Sequence, residues 1–223
     1  MTRRTLLLAV LVIAGAAALV VRSRVAIPEL KPRAQSISEI ELAPICPWRE
    51  PRRDLTLFFP GATNYTRETR ILSGKRVELQ QQLGRFPTAE ENALLIHRIT
   101  NNAQALGAVL VRRVKGEHGG IEVVTAIEPN GAIRGVAIQS HREPEPIARE
   151  IRATNWLAAF VGKNSHAAFR LGEDLLEVTS AAKPSAAKPS AQAIADGVRS
   201  ELILFAVAEE ADQAGHAHHR KHP

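Results

Sequence analysis

The chain has 223 residues, which fits one ordinary domain with a terminal appendage and excludes a large multidomain enzyme. Hydrophobic residues make up 45% of it, enough for a buried core, so disorder throughout is also excluded. The formal charge is +6, but only 4% of the residues are aromatic. Single-strand nucleic-acid binders stack bases on aromatic rings set among basic residues, so no nucleic-acid partner is expected. The single cysteine, Cys46, excludes an internal disulfide and a multi-cysteine metal site.

An apolar segment follows the first arginines of the chain. Leu6 to Val21 carries no polar side chain, and Arg22 ends it. A bilayer-spanning helix needs roughly 17 to 25 residues, so this segment is at the short end of that range. The alanines at 16–18 also suit cleavage of a signal peptide. Residues 1–24 are therefore assigned to a signal or membrane anchor. Two alternatives stay open: an uncleaved anchor with residues 5–21 in the membrane, or secretion to the periplasm after cleavage.

Three further regions follow along the chain. Residues 25–54 are rich in proline and arginine with little periodicity, and we interpret them as a tether. A folded domain is predicted over residues 55–210. Residues 211–223 form a His-rich tail, predicted to be flexible, and no metal site is expected there because neither a cysteine nor a carboxylate completes a preorganised ligand set.

Strand signals lie in the middle of the domain. Apolar alternation over 108–114, 121–127 and 132–138 predicts three strands. Asn130-Gly131 lies between the second and third, and this pair tolerates the positive φ of a tight hairpin turn. The pattern therefore predicts an antiparallel meander.

Helix signals flank that meander. Thr88, followed by Glu91, predicts a capped helix start that leads into the apolar residues of 94–99. Helical spacing over 147–161 predicts a second helix, closed by Gly162. A last amphipathic helix is predicted with Ser190 as its N-cap. The fold class that follows is α+β: an antiparallel sheet with packed helices, preceded by one transmembrane or signal segment.

Several segments are informative in their order and spacing. They are GEHGGIEVV at 116–124, NGAIRGV at 130–136, HREP at 141–144, WLAAFVGK at 156–163 and SAAKPSAQAIADGVR at 185–199. Together they resemble the small FMN-binding domain, which occurs in the C subunit of the sodium-pumping NADH:quinone reductase and in the G subunit of the Rnf electron-transport complex. The similarity covers roughly Leu106 to Phe205.

The resemblance implies a flavin site with one departure. In that family a threonine of a Ser-Gly-Ala-Thr loop before the last helix is esterified to the phosphate of FMN. Counting back from the last helix places Lys188 at that position, and counting forward from Asp174 places Ala182 there. Neither carries a hydroxyl, so the attachment motif is degenerate. Non-covalent FMN is expected, and the alternatives are a domain that has lost flavin or a loop rebuilt for another anion.

The candidate cofactor-binding residues come from three places. A helix start offers unpaired amide N–H groups and a partial positive charge to a phosphate. A charged pair at a strand end can face the phosphate or ribityl chain, and glycines let the main chain approach a ring closely. The candidates are Thr179, Ser185, Lys188 and Ser190 near the helix start, Arg142 and Glu143 at the strand end, and Gly119 and Gly120 in the glycine-rich turn.

The function implied by the resemblance is electron relay. The soluble domain would face the extracytoplasmic side of a membrane and pass electrons between membrane redox partners through FMN. Such a protein is an electron carrier or a component of a redox complex, not a stand-alone enzyme, and no catalytic residue is assigned. The alternative is a flavin-free structural or assembly component of a membrane complex.

Overall fold

The computed structural model describes residues 34–36, 57–180 and 183–219, with the backbone alone for 34–36, 179–180, 183–184 and 212–219. The predicted membrane segment, most of the tether and the side chains of the His-rich tail lie outside the described residues. Within them, no helix has the length and apolar character needed to cross a bilayer. Residues 32–223 make up one compact unit.

The centre of this unit is an antiparallel sheet whose strands lie side by side in chain order. Its strands are β1 Ala34–Ser36, β2 Asn64–Ile71, β3 Ala93–Asn101, β4 Gln104–Lys115, β5 Gly120–Ile127 and β6 Ile133–His141. The α+β class is confirmed, and the predicted meander corresponds to β4, β5 and β6. The first strand, β1, lies within the stretch that the composition assigned to the tether.

Strand β3 occupies the place where the sequence predicted a helix, so that prediction is wrong. Thr88 and Glu91 do form the expected capping box, but the turn they cap is a short 3-10 helix, Ala89–Asn92. The chain then pairs with β2 over most of the length of β3. Leu94 and Ile96 are buried on one face of this strand and Ile99 on the other. Pairing with β2 therefore overrides a cap signal that concerns only the first turn.

Four α-helices within the described residues accompany the sheet. They are α1 Arg76–Leu83, α2 Glu145–Ile151, α3 Thr154–Ala158 and α4 Lys188–His219. The single helix predicted over 147–161 is α2 and α3, because Ala153 has an extended ψ of 127° that breaks the helix between them. The break lets Trp156 and Phe160 pack edge to face in the core, with ring centroids 5.2 Å apart. Gly162 has a φ of 80° but lies four residues beyond the end of α3, and its amide donates to the carbonyl of Ile133 in β6, so the prediction that it closes the helix is wrong.

The long helix α4 covers one face of the sheet. Its apolar residues Ile194, Val198 and Leu202 are buried in the main core, together with inward-facing residues of β3, β4 and β5. The approach to β4 is close: a Cβ added to Gly197 would lie 2.4 Å from Cγ1 of Val114. The opposite face of the sheet has a smaller core, which includes Phe59 and Tyr65.

Candidate functional site

The glycine-rich turn between β4 and β5 is folded against the end of β6. The amide of Gly116 donates to the carbonyl of Gly119 at 2.8 Å, which closes the turn. The amide of Arg142 donates to the carbonyl of Gly120 at 3.1 Å. A Cβ added to Gly119 would lie 2.7 Å from Cβ of Arg142, so a glycine is needed for this close packing. The structure thus brings together three of the predicted site residues.

Glu143 lies beneath the same turn. Its side chain is 0% exposed, whereas that of His118 is 49% exposed. The amide of His118 donates to both carboxylate oxygens of Glu143, at 3.2 and 3.3 Å, and Nδ1 of His118 lies 3.0 Å from Oε2. His118 was not among the predicted site residues. Glycines on both sides of a histidine and a downstream His-Arg-Glu segment are present in the sequence, but nothing in it shows that they meet.

Ser190 joins this turn to the start of α4. Its hydroxyl accepts a hydrogen bond from the amide of Glu117 at 2.9 Å, and the side chain is fully buried. A Cβ on Gly116 would lie 2.1 Å from Oε1 of Glu143 and 3.1 Å from Oγ of Ser190. Gly116 is therefore the point at which the turn, the end of β6 and the first turn of α4 come together.

The prediction that Ser190 caps α4 is wrong. The helix begins two residues earlier, at Lys188, and Ser185 lies in the turn that precedes it. The Ser185 hydroxyl accepts from the amide of Ala187 at 3.0 Å, and its carbonyl accepts from the amide of Lys188 at 3.1 Å. The same hydroxyl donates to the carboxylate of Glu150 on α2. Both serines of the predicted loop are thus engaged within the protein.

Lys188 lies at the surface. Its side chain is 62% exposed, and Nζ is 3.7 Å from Oε1 of Glu177, a separation that leaves the ammonium group largely hydrated. Thr179 lies in a two-residue strand, β7 Thr179–Ser180, which pairs with β8 Lys183–Pro184. Its side chain is outside the described part of the chain. The arrangement therefore offers a phosphate an exposed lysine beside a helix start, while the nearby serine hydroxyls and the Lys188 amide are already hydrogen-bonded and Pro189 has no N–H.

A second feature is a cleft in the sheet. Strands β3 and β4 pair only from His97 with Val109 to Asn101 with Gln104. Residues 93–96 and 110–115 of these strands have no ladder pairs with one another, and a cavity of about 620 Å³ opens between them. Residues from both faces of the sheet line the cavity, as do Gly119 and Gly120 of the predicted site.

Three buried titratable groups, His97, Glu122 and Glu201, line this cleft. Burial raises the pKa of Glu201 to about 7, although a hydrogen bond from Thr125 at 2.8 Å and the charge of Arg112 favour the carboxylate. Burial and the charge of Arg67 together lower the pKa of His97 to about 4, although the hydrogen bond to the Val109 carbonyl raises it. Because a carbonyl only accepts, Nδ1 of His97 carries the proton, and Nε2 has no hydrogen-bond partner in the described structure.

The inner rim of the cleft is held by a buried ion pair. Glu91 accepts from both terminal nitrogens of Arg85, at 2.8 and 2.7 Å, and from Arg112 at 2.7 Å. Burial raises the pKa of Glu91, but the hydrogen bonds from Arg85, the Thr88 amide and Arg112 outweigh it and lower the value to about 2. Glu91 thereby connects the turn before β3 to β4 across the opening between the strands.

Comparison with known proteins gives one partial match. No family model matches the chain. It is 31% identical over 77 residues to the G subunit of the ion-translocating oxidoreductase complex of Vibrio vulnificus (strain YJ016). The match spans 33% of this chain and 36% of that protein. The chain is therefore similar, over about a third of its length, to one component of an ion-translocating oxidoreductase complex, as the resemblance in the sequence implied.

Substitution of Gly116 by alanine should destabilise the site. The added Cβ would overlap the buried carboxylate of Glu143, and displacing that group should lower the free energy of unfolding by about 1 to 3 kcal/mol. Urea denaturation of the full-length chain measures the loss. Gly61→Ala is the matched control, because its added Cβ would meet only Nδ2 of Asn101, at 4.0 Å. Equal stability of the two variants would contradict the packing described for Gly116.

The buried Glu201 should make stability fall as the pH rises. Its folded pKa of about 7 is above the ordinary 4.5, so the folded state holds the proton between these values. The contribution of Glu201 to the free energy of unfolding should therefore drop by about 3 kcal/mol between pH 4.5 and 7. Glu201→Gln should remove this loss, whereas the exposed Glu173→Gln should not.

His97 should act in the opposite direction, since its folded pKa of about 4 is below the ordinary 6.5 and stability is lost as the pH falls between them. The two pH ranges overlap, so the opposing effects largely cancel in the wild type. Urea denaturation at a series of pH values therefore resolves the Glu201 effect as the difference between the wild type and Glu201→Gln. A Glu201→Gln profile that matches the wild type above pH 4.5 would contradict the assignment.

Proposed function

We propose that this chain is a flavin-binding component of a membrane redox complex, which holds FMN without a covalent link and relays electrons between protein partners. The observation that carries the proposal is the meeting of the glycine-rich turn, Glu143 and the first turn of α4 at Gly116. These segments are distant in sequence, and each contributes to the resemblance to FMN-binding domains. The similarity to one component of an ion-translocating oxidoreductase complex supports the same class of function.

The proposed link to FMN is non-covalent. Neither Lys188 nor Ala182, the two residues that can be aligned with the family's threonine, has a hydroxyl for a phosphoester. The hydroxyls of Ser185 and Ser190 are each used in hydrogen bonds that hold the loop and the turn in place. Recognition would then depend on charge and on main-chain amides.

The fit to FMN rests on the donor set at the start of α4. Lys188 offers a charge to the phosphate, the N-terminal end of a 32-residue helix adds a partial positive charge, and Arg142 lies beside the turn. The helix start adds few hydrogen-bond donors, because the Lys188 amide is bonded to the Ser185 carbonyl and Pro189 has no N–H. When bound, the isoalloxazine ring would accept and pass on electrons. The chain's own residues would bind, orient and shield it, so no residue is needed for substrate turnover.

The proposed location follows the sequence. Residues 5–21 would anchor the protein in the membrane, with the domain of residues 55–210 on the extracytoplasmic side, or cleavage would release it to the periplasm. The partners would be membrane redox proteins. The tether over 25–54 would set the distance between bilayer and domain.

A second candidate function is supported by the same contacts. Glu143, Ser185 and Ser190 all have protein partners without a ligand. The loop is thus complete as a structural element, and a flavin-free domain could serve in the assembly of a membrane complex. This candidate predicts a colourless protein that does not respond to FMN.

FMN binding to the full-length chain decides between the two candidates. The purified protein should show flavin absorbance bands, or should quench FMN fluorescence saturably when titrated with it. Acid denaturation should release all of the flavin. A colourless protein that leaves FMN fluorescence unchanged would support the structural role, and flavin that stays on the denatured chain would contradict the non-covalent link.

Charge reversal at Lys188 should weaken FMN binding. Lys188→Glu would place a negative charge beside the phosphate, and we expect the affinity to fall by roughly tenfold because a charge-assisted contact is replaced by repulsion. Isothermal titration of FMN into the variant measures the change. Lys75→Glu is the control, since Lys75 is a partly exposed lysine just before α1, paired with Glu78. An affinity equal to that of the wild type would remove Lys188 from the phosphate site.

A further inference from the structure

The cleft between β3 and β4 has main-chain groups directed into it from β3. The amide of Leu72 donates to the carbonyl of Asn92, in register with the β2–β3 ladder. Bonded pairs alternate along an antiparallel ladder, so Leu94 bonds to β2. The main-chain groups of Ala93 and Leu95, on either side of it, therefore point away from β2 and into the cleft. Neither of these two residues has a ladder partner on β4.

Strand β4 directs main-chain groups into the cleft from the other side. The amide of Gly116 donates to the carbonyl of Gly119, in register with the β4–β5 ladder, so the same alternation makes Arg112 bond to β5. The main-chain groups of Val111 then point toward β3, where Val111 has no ladder partner. Main-chain N–H and C=O groups within a folded domain are almost always paired. Both sides of the cleft therefore favour an occupant that supplies hydrogen bonds.

Two buried side-chain atoms of the cleft are acceptors without a partner. Nε2 of His97 and Oε2 of Glu122 have no hydrogen bond within the described part of the chain, although these residues are only 1% and 2% exposed. Both residues line the cavity. The other carboxylate oxygen of Glu122 already accepts from Arg113, at 3.0 Å. A buried acceptor without a partner destabilises a protein, so these two atoms favour an occupant that brings N–H or O–H donors.

The two faces of the cleft differ in chemistry. Leu94, Val114 and Leu204 line the side toward α4 and belong to the main core. Side chains alternate along a strand, so His97 and Glu122, each next to a residue of that core, lie on the opposite face. An occupant that fits the cleft therefore has apolar groups toward α4 and hydrogen-bond donors on its other side.

An extended peptide matches these groups better than a compact ligand does. The cleft-facing main-chain groups recur about every 6.8 Å along each strand, twice the rise per residue, and an extended peptide has the same repeat on both of its edges. Its side chains also alternate between the two faces. The cavity of about 620 Å³ is within the range of roughly 300 to 1,000 Å³ typical of ligand pockets. The cleft ends where His97 pairs with Val109, so only a short segment fits beside residues 93–96.

We propose that the cleft binds an extended segment of a partner protein, which inserts between β3 and β4 and forms main-chain hydrogen bonds with both strands. The segment alternates apolar side chains, which face α4, with donor side chains, which reach His97 and Glu122. It runs antiparallel to one strand and parallel to the other, because β3 and β4 are themselves antiparallel. One segment fills the cleft and leaves no new strand edge there. The contact needs no flavin, so it goes beyond the proposed function and is compatible with either candidate function.

Amide hydrogen exchange of the full-length chain tests whether the cleft is open. The amides of Leu95 and Val111 should exchange quickly, because their groups face the cleft. The amides of Leu94 and Arg112 are the matched controls, since each is adjacent in the same strand but bonds to β2 or β5, and they should exchange slowly. Slow exchange of Leu95 and Val111 in the free chain would overturn the proposal, because both amides would then already have partners.

Binding is measured without flavin, on an array of synthetic hexapeptides that alternate valine or leucine with threonine, serine, glutamine or lysine. Alternating peptides should bind the full-length chain, and peptides of the same composition without the alternation should bind more weakly, since half of their side chains meet the wrong face. The tightest peptide should slow the exchange of the Leu95 and Val111 amides. The proposal fails if no alternating peptide binds, or if the bound peptide leaves these two amides unprotected.

N-methylation of the tightest peptide distinguishes insertion from addition at the edge of the sheet. Successive amides of an inserted segment bond to β3 and β4 in turn, so methylation of either of two adjacent central amides should weaken binding by roughly fivefold, the usual loss for one neutral hydrogen bond. Strand β2 pairs with β1 only over Asn64–Thr66, and a peptide added along the rest of β2 would use every second amide. Full affinity after methylation at one of the two positions would therefore contradict insertion.

Discussion

The close approach of α4 to β4 is the contact on which two features depend: the candidate site at the glycine-rich turn and the cleft between β3 and β4. Gly197 has no side chain where Val114 packs, so the helix axis can lie near the strand. Ser190 is about two turns, or about 10 Å, before this crossing and reaches the turn that follows β4. Glu201 is one turn after it and reaches Thr125 on β5. A bulkier residue at 197 would lift the helix and separate both contacts at once.

The opening between β3 and β4 brings buried charge into the domain, and the protein compensates for it in two ways. Glu91 remains ionised because two arginines and a main-chain amide surround it, and such a network loses several kcal/mol when one partner is removed. Glu201 has one neutral hydrogen-bond donor and takes up a proton near neutral pH instead. The difference lies in the partners that each carboxylate meets, since both side chains are nearly inaccessible to solvent.

The sequence predicts the parts of this fold that depend on local pattern. Alternation and the Asn130-Gly131 turn were sufficient for β4 to β6, whereas β3 was missed because its identity depends on pairing with β2. The site was predicted only in part for the same reason. His118 and Glu143 are 25 residues apart in sequence and meet only once β5 and β6 pair in a register that shifts beside Glu122. That irregularity has no sequence signal comparable to an Asn-Gly turn.

The two candidate functions differ in what occupies the site and not in the fold that forms it. Two polar side chains, those of Glu143 and Ser190, meet beside Gly116, and both have protein partners. The domain therefore needs no flavin to satisfy their hydrogen bonds, and a ligand would add contacts only at the exposed edge of the site. A cofactor held in this way exchanges with the free pool, and it stabilises the folded chain only in proportion to its concentration relative to its dissociation constant. Under the proposed function, contacts from charged groups in place of an ester would make FMN a reversible ligand, and weaker contacts at the same edge would leave a domain that is folded without it.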